Sequence, residues 1–292
     1  MEKFINGVEL CIETFGDPDE APILLVGNTM LTWPDDLCAR LAALRRFVVR
    51  YDLRGTGRSR IRGSGAGPEA PDHTLRDLVA DAAGVLDALD LPTAHVAGFG
   101  VGGWIAQLLA LDHPDRVTTL TLVATRPTAP GPSDPDLPEH APELMAHLMN
   151  PPEVDWTDRE SVVGFMLESA RHMSGPEFDE AEARQAIERI HDRTLATLGP
   201  GDDPGAAHRA DQMATAFAAL DCGPRWRERL GGVKAPTLVV HGADDPFFPV
   251  GNARALAAEI PAAELLVLPA TGNGLPRRTW DPVVSAMLRH TS

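Results

Sequence analysis

A glycine-rich turn near the middle of the chain has the form of a catalytic turn but lacks a nucleophile. The stretch AHVAGFGVGGWIAQLLALDHPDRV (94–117) is typical of a strand, a tight turn and a helix. In the pattern G-x-S-x-G, such a turn presents a nucleophilic serine at its centre. Here the centre of residues 98–102 is Gly100, which offers no side chain for covalent catalysis. The turn therefore predicts either a lost reaction or a reaction that needs no nucleophile.

Apolar runs and helix-period segments alternate on both sides of this turn. The strand candidates are residues 23–27, 47–52, 94–99, 117–125, 237–242 and 263–269. The helix candidates between them include residues 37–44, 75–90 and 101–112. Such alternation is typical of parallel strands with helices on both faces. We therefore expect an α/β fold with a mostly parallel, twisted sheet.

A helical insertion separates two sheet-forming parts of the chain. Residues 127–142 are rich in proline, and residues 143–222 have helical patterns without a clear strand. We expect residues 1–126 and 223–292 to form the core of the fold. Residues 127–222 should then form a cap over the carboxyl edge of the sheet, where open α/β folds bind their ligands.

The composition excludes several classes of partner. A formal net charge of −16 argues against nucleic acid or an anionic membrane surface. The three scattered cysteines, Cys11, Cys38 and Cys222, form neither a disulfide framework nor a metal-ligand pattern, which favours a cytoplasmic location. The sequence shows no secretory signal and no apolar run long enough to cross a bilayer. The oligomeric state is left open.

Four segments, by their order and spacing, resemble the α/β-hydrolase fold superfamily over almost the whole chain. They are YDLRGTGRS (51–59), the turn at 98–102, LVVHGADDPFFP (238–249) and LLVLPATGNGLP (265–276). More narrowly, two stretches resemble the aclacinomycin methylesterase group, bacterial esterases that tailor aromatic polyketides. These are LLVGNTMLTWPDD (24–36) and GWIAQLLALDHPDRVTTLTL (103–122). The resemblance implies a polycyclic small-molecule substrate and a role in natural-product biosynthesis.

The same resemblance implies a catalytic triad of which two members are absent. The family has serine, acid and histidine in chain order. The serine position falls on Gly100, the acid on Asp245, with its neighbour Asp244 less favoured, and the histidine on Asn273. An amide does not act as a base near neutral pH. Ester hydrolysis through an acyl-enzyme is therefore not expected. An engineered origin is disfavoured because two positions differ.

An oxyanion hole, by contrast, needs no side chain at position 100. The resemblance implies one backbone N–H from Val101, at the start of a helix whose dipole favours negative charge. A second would come from the region of Asn28 and Thr29. Asp245 then acts as an acid or base, or alternatively serves as a structural acceptor for Asn273 and the loop amides.

Several further residues are candidates for the substrate pocket. His73 precedes a helix near the expected rim, although a solvated position at the helix start is the alternative. The aromatic candidates, some of which the core needs instead, are Trp33, Phe99, Trp156, Phe165 and Phe247. The cap histidines show no metal-ligand spacing, and no cofactor or metal is expected.

Three functions are compatible with these residues. The leading hypothesis is a cofactor-independent enzyme that stabilises an enolate in the oxyanion hole and does not hydrolyse esters. Its outcomes include intramolecular C–C bond formation with cyclisation, elimination or decarboxylation of an aromatic polyketide. The first alternative is a hydrolase in which Asp245 activates water on an ester or lactone. The second is a catalytically inactive binding protein. The substrate itself is left open.

Overall fold

The fold is built on an eight-stranded sheet in the order β1-β2-β4-β3-β5-β6-β7-β8. The computed structural model describes residues 1–59, 73–130, 134–196, 198–199, 202–209 and 220–292. The strands are β1 (Glu2–Ile5), β2 (Val8–Phe15), β3 (Ala21–Val26), β4 (Arg46–Tyr51), β5 (Ala94–Phe99), β6 (Val117–Val123), β7 (Thr237–Gly242) and β8 (Glu264–Leu268). Strands β3 to β8 run parallel to one another, which confirms the predicted parallel sheet, and β2 pairs with β4 in the antiparallel direction.

Helices cover both faces of the sheet. One face packs against α2 (Leu75–Ala88), α3 (Val101–Asp112) and α7 (Gly251–Glu259). The other face packs against α1 (Asp35–Ala43) and α8 (Trp280–His290). The described residues contain no helix that is long and apolar enough to cross a membrane.

The described residues between β6 and β7 contain helices and no strand. The helices are α4 (Pro142–Met149), α5 (Arg159–Met173) and α6 (Glu180–Leu195), and residues 204–209 are also helical. Asp158 and Asp179 cap α5 and α6, each accepting a backbone N–H from the first turn. A small apolar cluster of Val163, Leu167 and Ile187 joins these two helices.

An antiparallel hairpin precedes the parallel strands. Strands β1 and β2 pair from Glu2↔Cys11 to Ile5↔Val8, and Asn6-Gly7 forms the two-residue turn. Both turn residues have positive φ, 49° and 84°, as a type I′ hairpin turn requires. The sequence interpretation did not include this hairpin, although Asn-Gly between apolar runs is its standard signal.

His95 in β5 makes the stability of the fold dependent on pH. The side chain is buried and its Nδ1 lies 3.0 Å from Thr119 Oγ1, and burial lowers the pKa of this imidazole from 6.5 to about 4. Between those values the unfolded chain binds a proton that the folded chain does not. We therefore expect the free energy of unfolding to fall as the pH is lowered from 6.5 to 4. Urea titrations should show a weaker pH dependence over this range in His95→Gln.

Candidate active site

The turn at Gly100 is held in the conformation of a nucleophile elbow. Gly100 has φ 58° and ψ −117°, between the end of β5 and the first residue of α3. A Cβ atom at Gly98 would lie 2.1 Å from Gly102 O, and one at Gly102 would lie 2.2 Å from Val26 O. The strand and helix thus approach so closely that only glycine fits at the two flanking positions.

Two hydrogen bonds fix the backbone of Gly100 itself. Its N–H donates to Val123 O at 3.0 Å, and its carbonyl accepts from Thr125 Oγ1 at 2.8 Å. Both partners lie on or just after β6, so the elbow is tied to the neighbouring strand. The turn therefore keeps its catalytic geometry although its central residue has no side chain.

The space beside Gly100 is open. Among the described residues, a Cβ atom placed there would contact one atom within 4 Å, Asn28 Oδ1 at 3.6 Å. That oxygen is buried and has no hydrogen-bond partner in the described structure. A buried amide without a partner is costly unless something else satisfies it. The site thus offers space together with an unused acceptor.

The oxyanion-hole candidates lie on both sides of this space. Val101 is the first residue of α3, so its N–H belongs to the helix terminus that lacks intrahelical acceptors. Thr29 N–H instead donates to Thr32 Oγ1 at 3.3 Å. This bond engages Thr29 within its own loop and leaves the backbone N–H of Asn28 as the second candidate donor.

A buried carboxylate at the end of β4 positions the loop that carries Asn28. Asp52 accepts backbone N–H groups from Met30 at 3.0 Å and Arg58 at 2.9 Å. It also pairs with the guanidinium of Arg193, on α6, at 2.7 Å. The Asp52 side chain is fully buried, so this ion pair fixes the cap helix to the core beside the site. The sequence interpretation missed this role, because the partners are far apart in sequence.

Asp245 and Asn273 lie together, at the positions that the sequence predicts for the acid and the histidine. Asn273 Nδ2 donates to Asp245 Oδ2 at 2.9 Å. The other carboxylate oxygen, Oδ1, accepts N–H groups from Phe247 and Phe248, both at 2.8 Å. Because a carboxylate only accepts hydrogen bonds when ionised, the amide nitrogen of Asn273 faces it and the amide oxygen faces away.

A histidine that the sequence interpretation did not consider lies beneath this pair. His241, on β7, is buried, and its Nε2 lies 2.6 Å from Phe248 O and 3.3 Å from Asp245 Oδ2. Since a carbonyl oxygen only accepts, Nε2 carries the proton. Asp245 therefore has donors on both oxygens, which favours the structural alternative, in which it positions Asn273, over direct proton transfer.

Comparison with known proteins shows the family of this chain. The model of the α/β hydrolase fold family matches residues 26–274. This chain belongs to the α/β-hydrolase family. It is 31% identical to the rhodomycin D methylesterases DauP of Streptomyces sp. (strain C5) and DnrP of Streptomyces peucetius, across 97% of this chain and 95% of each relative. It is 30% identical to the putative carbamate hydrolase RutD of Caulobacter segnis, across 91% and 90%.

Solved structures of hydrolases share the fold. The enol-lactonase from Burkholderia xenovorans LB400 superposes with a TM-score of 0.70 at 22% identity, covering 99% of both chains. The esterase RhEst1 from Rhodococcus sp. ECU1013 superposes with a TM-score of 0.73 at 19% identity, covering 100% of this chain and 98% of that one. At these identities the likeness extends to the fold alone.

Helix α5 of this α/β-hydrolase contacts the candidate site through the Asn273 loop. The backbone N–H of Asn273 donates to Met173 O, at the end of α5, at 2.8 Å. A Cβ atom at Gly272 would lie 2.3 Å from the same oxygen. The close backbone packing couples the position of Asn273 to the position of α5.

Three of the candidate pocket residues, Trp33, Phe99 and His73, are buried or half-buried. Trp33 was predicted as a pocket wall, but it is fully buried and its Nε1 donates to Val26 O at 3.1 Å. It packs in the apolar cluster that the sheet forms with α1 and α8. Phe99 is half-buried and packs on the same core cluster. His73 Cε1 lies 3.9 Å from the Cβ position of Gly55, beside the loop after β4.

The remaining aromatic candidates lie in or beside the cap. Trp156 meets Phe165 edge-on at 5.7 Å, and Phe247 stacks on His140 at 4.8 Å. Two cavities lined by described residues lie elsewhere, one of about 470 Å³ beside Arg227 and one of about 310 Å³ along α5. An apolar cavity over Gly100 that these aromatic residues line stays a prediction.

Proposed function

We propose that this α/β-hydrolase is a cofactor-independent enzyme that performs enolate chemistry rather than ester hydrolysis. The observation that carries this proposal is the open space at Gly100 within an otherwise intact elbow. A substrate carbon can occupy the place of the missing serine, while its carbonyl oxygen points to the backbone N–H groups of Val101 and Asn28. Developing negative charge on that oxygen is then stabilised by fixed donors at a helix start.

The reaction that best fits these residues is an intramolecular C–C bond formation. A water molecule held by the amide oxygen of Asn273 takes a proton from the carbon next to the bound carbonyl group, and the resulting enolate attacks an unsaturated carbon of the same molecule. The proton is then returned to the product, which is an isomer of the substrate. Holding the two carbons together supplies much of the rate, since effective molarities reach about 10⁵–10⁸ M. Elimination and decarboxylation would form the same kind of enolate oxygen, which the same donors would stabilise.

Asn273 has the role of orienting the reacting groups in this proposal. Asp245 holds its amide nitrogen, and the amide oxygen then accepts a hydrogen bond from the substrate or from a water that carries the proton. The substrate class is a polycyclic aromatic polyketide. Support for this class comes from relatives that are named as methylesterases of rhodomycin D.

A hydrolase in which Asp245 activates water on an ester or lactone is the second candidate. The names of the relatives, methylesterases and carbamate hydrolases, favour it. The hydrogen bonds on both oxygens of Asp245 oppose it, because water would have to compete with Phe247 N–H, Phe248 N–H and Asn273 for the same lone pairs.

We also propose that residues 127–222 form the cap and that residues 1–126 and 223–292 form the core. The contacts of Arg193 with Asp52 and of Met173 with Asn273 support this division. The three cysteines, which are unpaired, favour a reducing cytoplasmic location.

Product analysis in ¹⁸O-labelled water separates these functions. Polycyclic β-keto esters, β-keto acids and quinones should be incubated with the enzyme and the masses of the products measured by mass spectrometry. We expect products without ¹⁸O, of unchanged mass for cyclisation or reduced by water or CO₂ for elimination or decarboxylation. One ¹⁸O atom in a product carboxyl group would support the hydrolase instead. Binding without turnover across the panel would contradict both and identify a binding protein.

A further inference from the structure

Three side chains of metal-ligand type meet on the outer side of the cap. His147 lies on α4, and Glu168 and His172 lie on α5. One ligand atom from each lies within 4.8 Å of the other two. The two imidazole rings stack with their centroids 4.1 Å apart. The sequence interpretation gave the cap histidines no metal-ligand spacing, because the ligands come from two helices separated by a loop.

We propose that His147, Glu168 and His172 form a binding site for a divalent transition metal, with Zn²⁺ as the fitting ion. Imidazole nitrogen and carboxylate oxygen are ligands that zinc accepts, and three protein ligands with an open fourth position are a common set. Glu168 and His172 are four residues apart, so they share one face of α5.

The geometry needs a small adjustment to close around an ion. Zinc bonds to nitrogen and oxygen are about 2.0–2.2 Å, so two ligand atoms of one tetrahedral ion are roughly 3.3–3.6 Å apart. The ligand atoms here lie within 4.8 Å of one another, so they must approach by about 1 Å. Glu168 and His172 are exposed, so their side chains can rotate towards each other without disturbing the packing.

The surroundings suit a metal-bound imidazole. His147 Nε2 lies 3.2 Å from Ser169 Oγ, an outer contact that fixes the ring and leaves Nδ1 to bind. The neighbouring cation, Arg171, is paired with Glu180, so its charge is compensated. The cavity of about 310 Å³ lined by Glu168 and His172 leaves room for water at the open position.

A bound metal ion would join α4 to α5. Met173, the residue after His172, ends α5, and its carbonyl accepts the N–H of Asn273. The site therefore stabilises the helix that contacts the Asn273 loop. This role does not depend on the proposed enolate chemistry.

Calorimetric titration of Zn²⁺ into untagged, EDTA-treated and dialysed protein tests the site. We expect saturable binding of one ion per chain and a higher melting temperature with Zn²⁺. His172→Ala and Glu168→Gln should each weaken binding by at least about tenfold, since even outer-shell contacts are worth that much. His113→Ala removes an exposed histidine far from the cluster and should leave binding unchanged.

Two results would overturn the proposal. One is the lack of saturable Zn²⁺ binding by the wild-type protein. The other is binding that persists unchanged in both His172→Ala and Glu168→Gln, which would show adventitious binding elsewhere. Circular dichroism spectra of both variants show whether they are folded, so that misfolding is not mistaken for a loss of the metal site. Both substitutions are at exposed positions, where the fold is expected to tolerate them.

Discussion

The double substitution Gly100→Ser and Asn273→His is expected to give this protein esterase activity that neither single substitution gives. The hydroxyl would stand on an elbow that already has the required conformation, and an added Cβ atom meets Asn28 Oδ1 at an ordinary 3.6 Å. The imidazole would replace the Asn273 amide, which now donates to Asp245 Oδ2 at 2.9 Å. The three groups of a triad would then be in place.

The expected effect is large because triad members act as a unit. Removing the serine or the histidine from the triad of a serine protease costs about as much as removing all three members. We therefore expect each single variant to remain at the background rate with p-nitrophenyl acetate. The double variant should be at least about 10²-fold faster, the lower range for a positioned general base. Gly100→Ala combined with Asn273→His is the matched control, since it lacks just the hydroxyl.

Two outcomes would contradict this prediction. Esterase activity in Gly100→Ser alone would mean that another base, such as His73, reaches the elbow. An inactive double variant that folds normally would mean that the Asn273 loop does not face Gly100. In that case the proposed role of Asn273 in orienting a substrate would fail as well.

Asp245→Ala is expected to lower the free energy of unfolding by about 3–5 kcal/mol. The substitution would leave three N–H donors without their acceptor: those of Phe247, Phe248 and the Asn273 side chain. Three N–H donors left unpaired where a buried carboxylate had accepted their hydrogen bonds account for a loss of this size. Urea unfolding followed by circular dichroism measures it. Asp244→Ala, at the exposed neighbouring position, is the control and should change stability by less than about 0.5 kcal/mol.

Asp245→Asn separates a positioning role from a proton-transfer role. If Asp245 positions Asn273, the variant should be destabilised, and turnover per folded molecule should fall modestly and with an unchanged pH profile. If Asp245 transfers a proton, single-turnover rates should instead fall by about 10²–10⁴-fold at little cost in stability. The second pattern would contradict the positioning role and return Asp245 to direct catalysis.

The strands and helices of the core were predictable from periodicity alone. The predicted segments 94–99, 101–112 and 237–242 coincide with β5, α3 and β7. These elements are buried on both sides, so their apolar runs are continuous and end at clear turn residues. The hairpin of β1 and β2 was missed because β1 is short and largely exposed, which leaves Asn6-Gly7 as its main signal.

Site residues were predictable from the sequence only where the resemblance to the family assigns a role to a fixed position in a motif. Gly100, Asp245 and Asn273 follow from the order of the motifs along the chain. The contacts of His241 with Asp245 and of Arg193 with Asp52 depend on how distant segments meet in space, which no local pattern encodes. Trp33 was misplaced for a related reason, since an aromatic residue near a pocket loop and one in the core look alike in sequence.

We expect the wild-type site to contain no reactive nucleophile, and intact-mass spectrometry after treatment with a fluorophosphonate probe measures this. The wild-type protein should show no added mass, while the double variant Gly100→Ser and Asn273→His should gain one probe per chain. A covalent adduct on the wild-type protein, mapped by peptide sequencing to any residue around Gly100, would contradict this expectation.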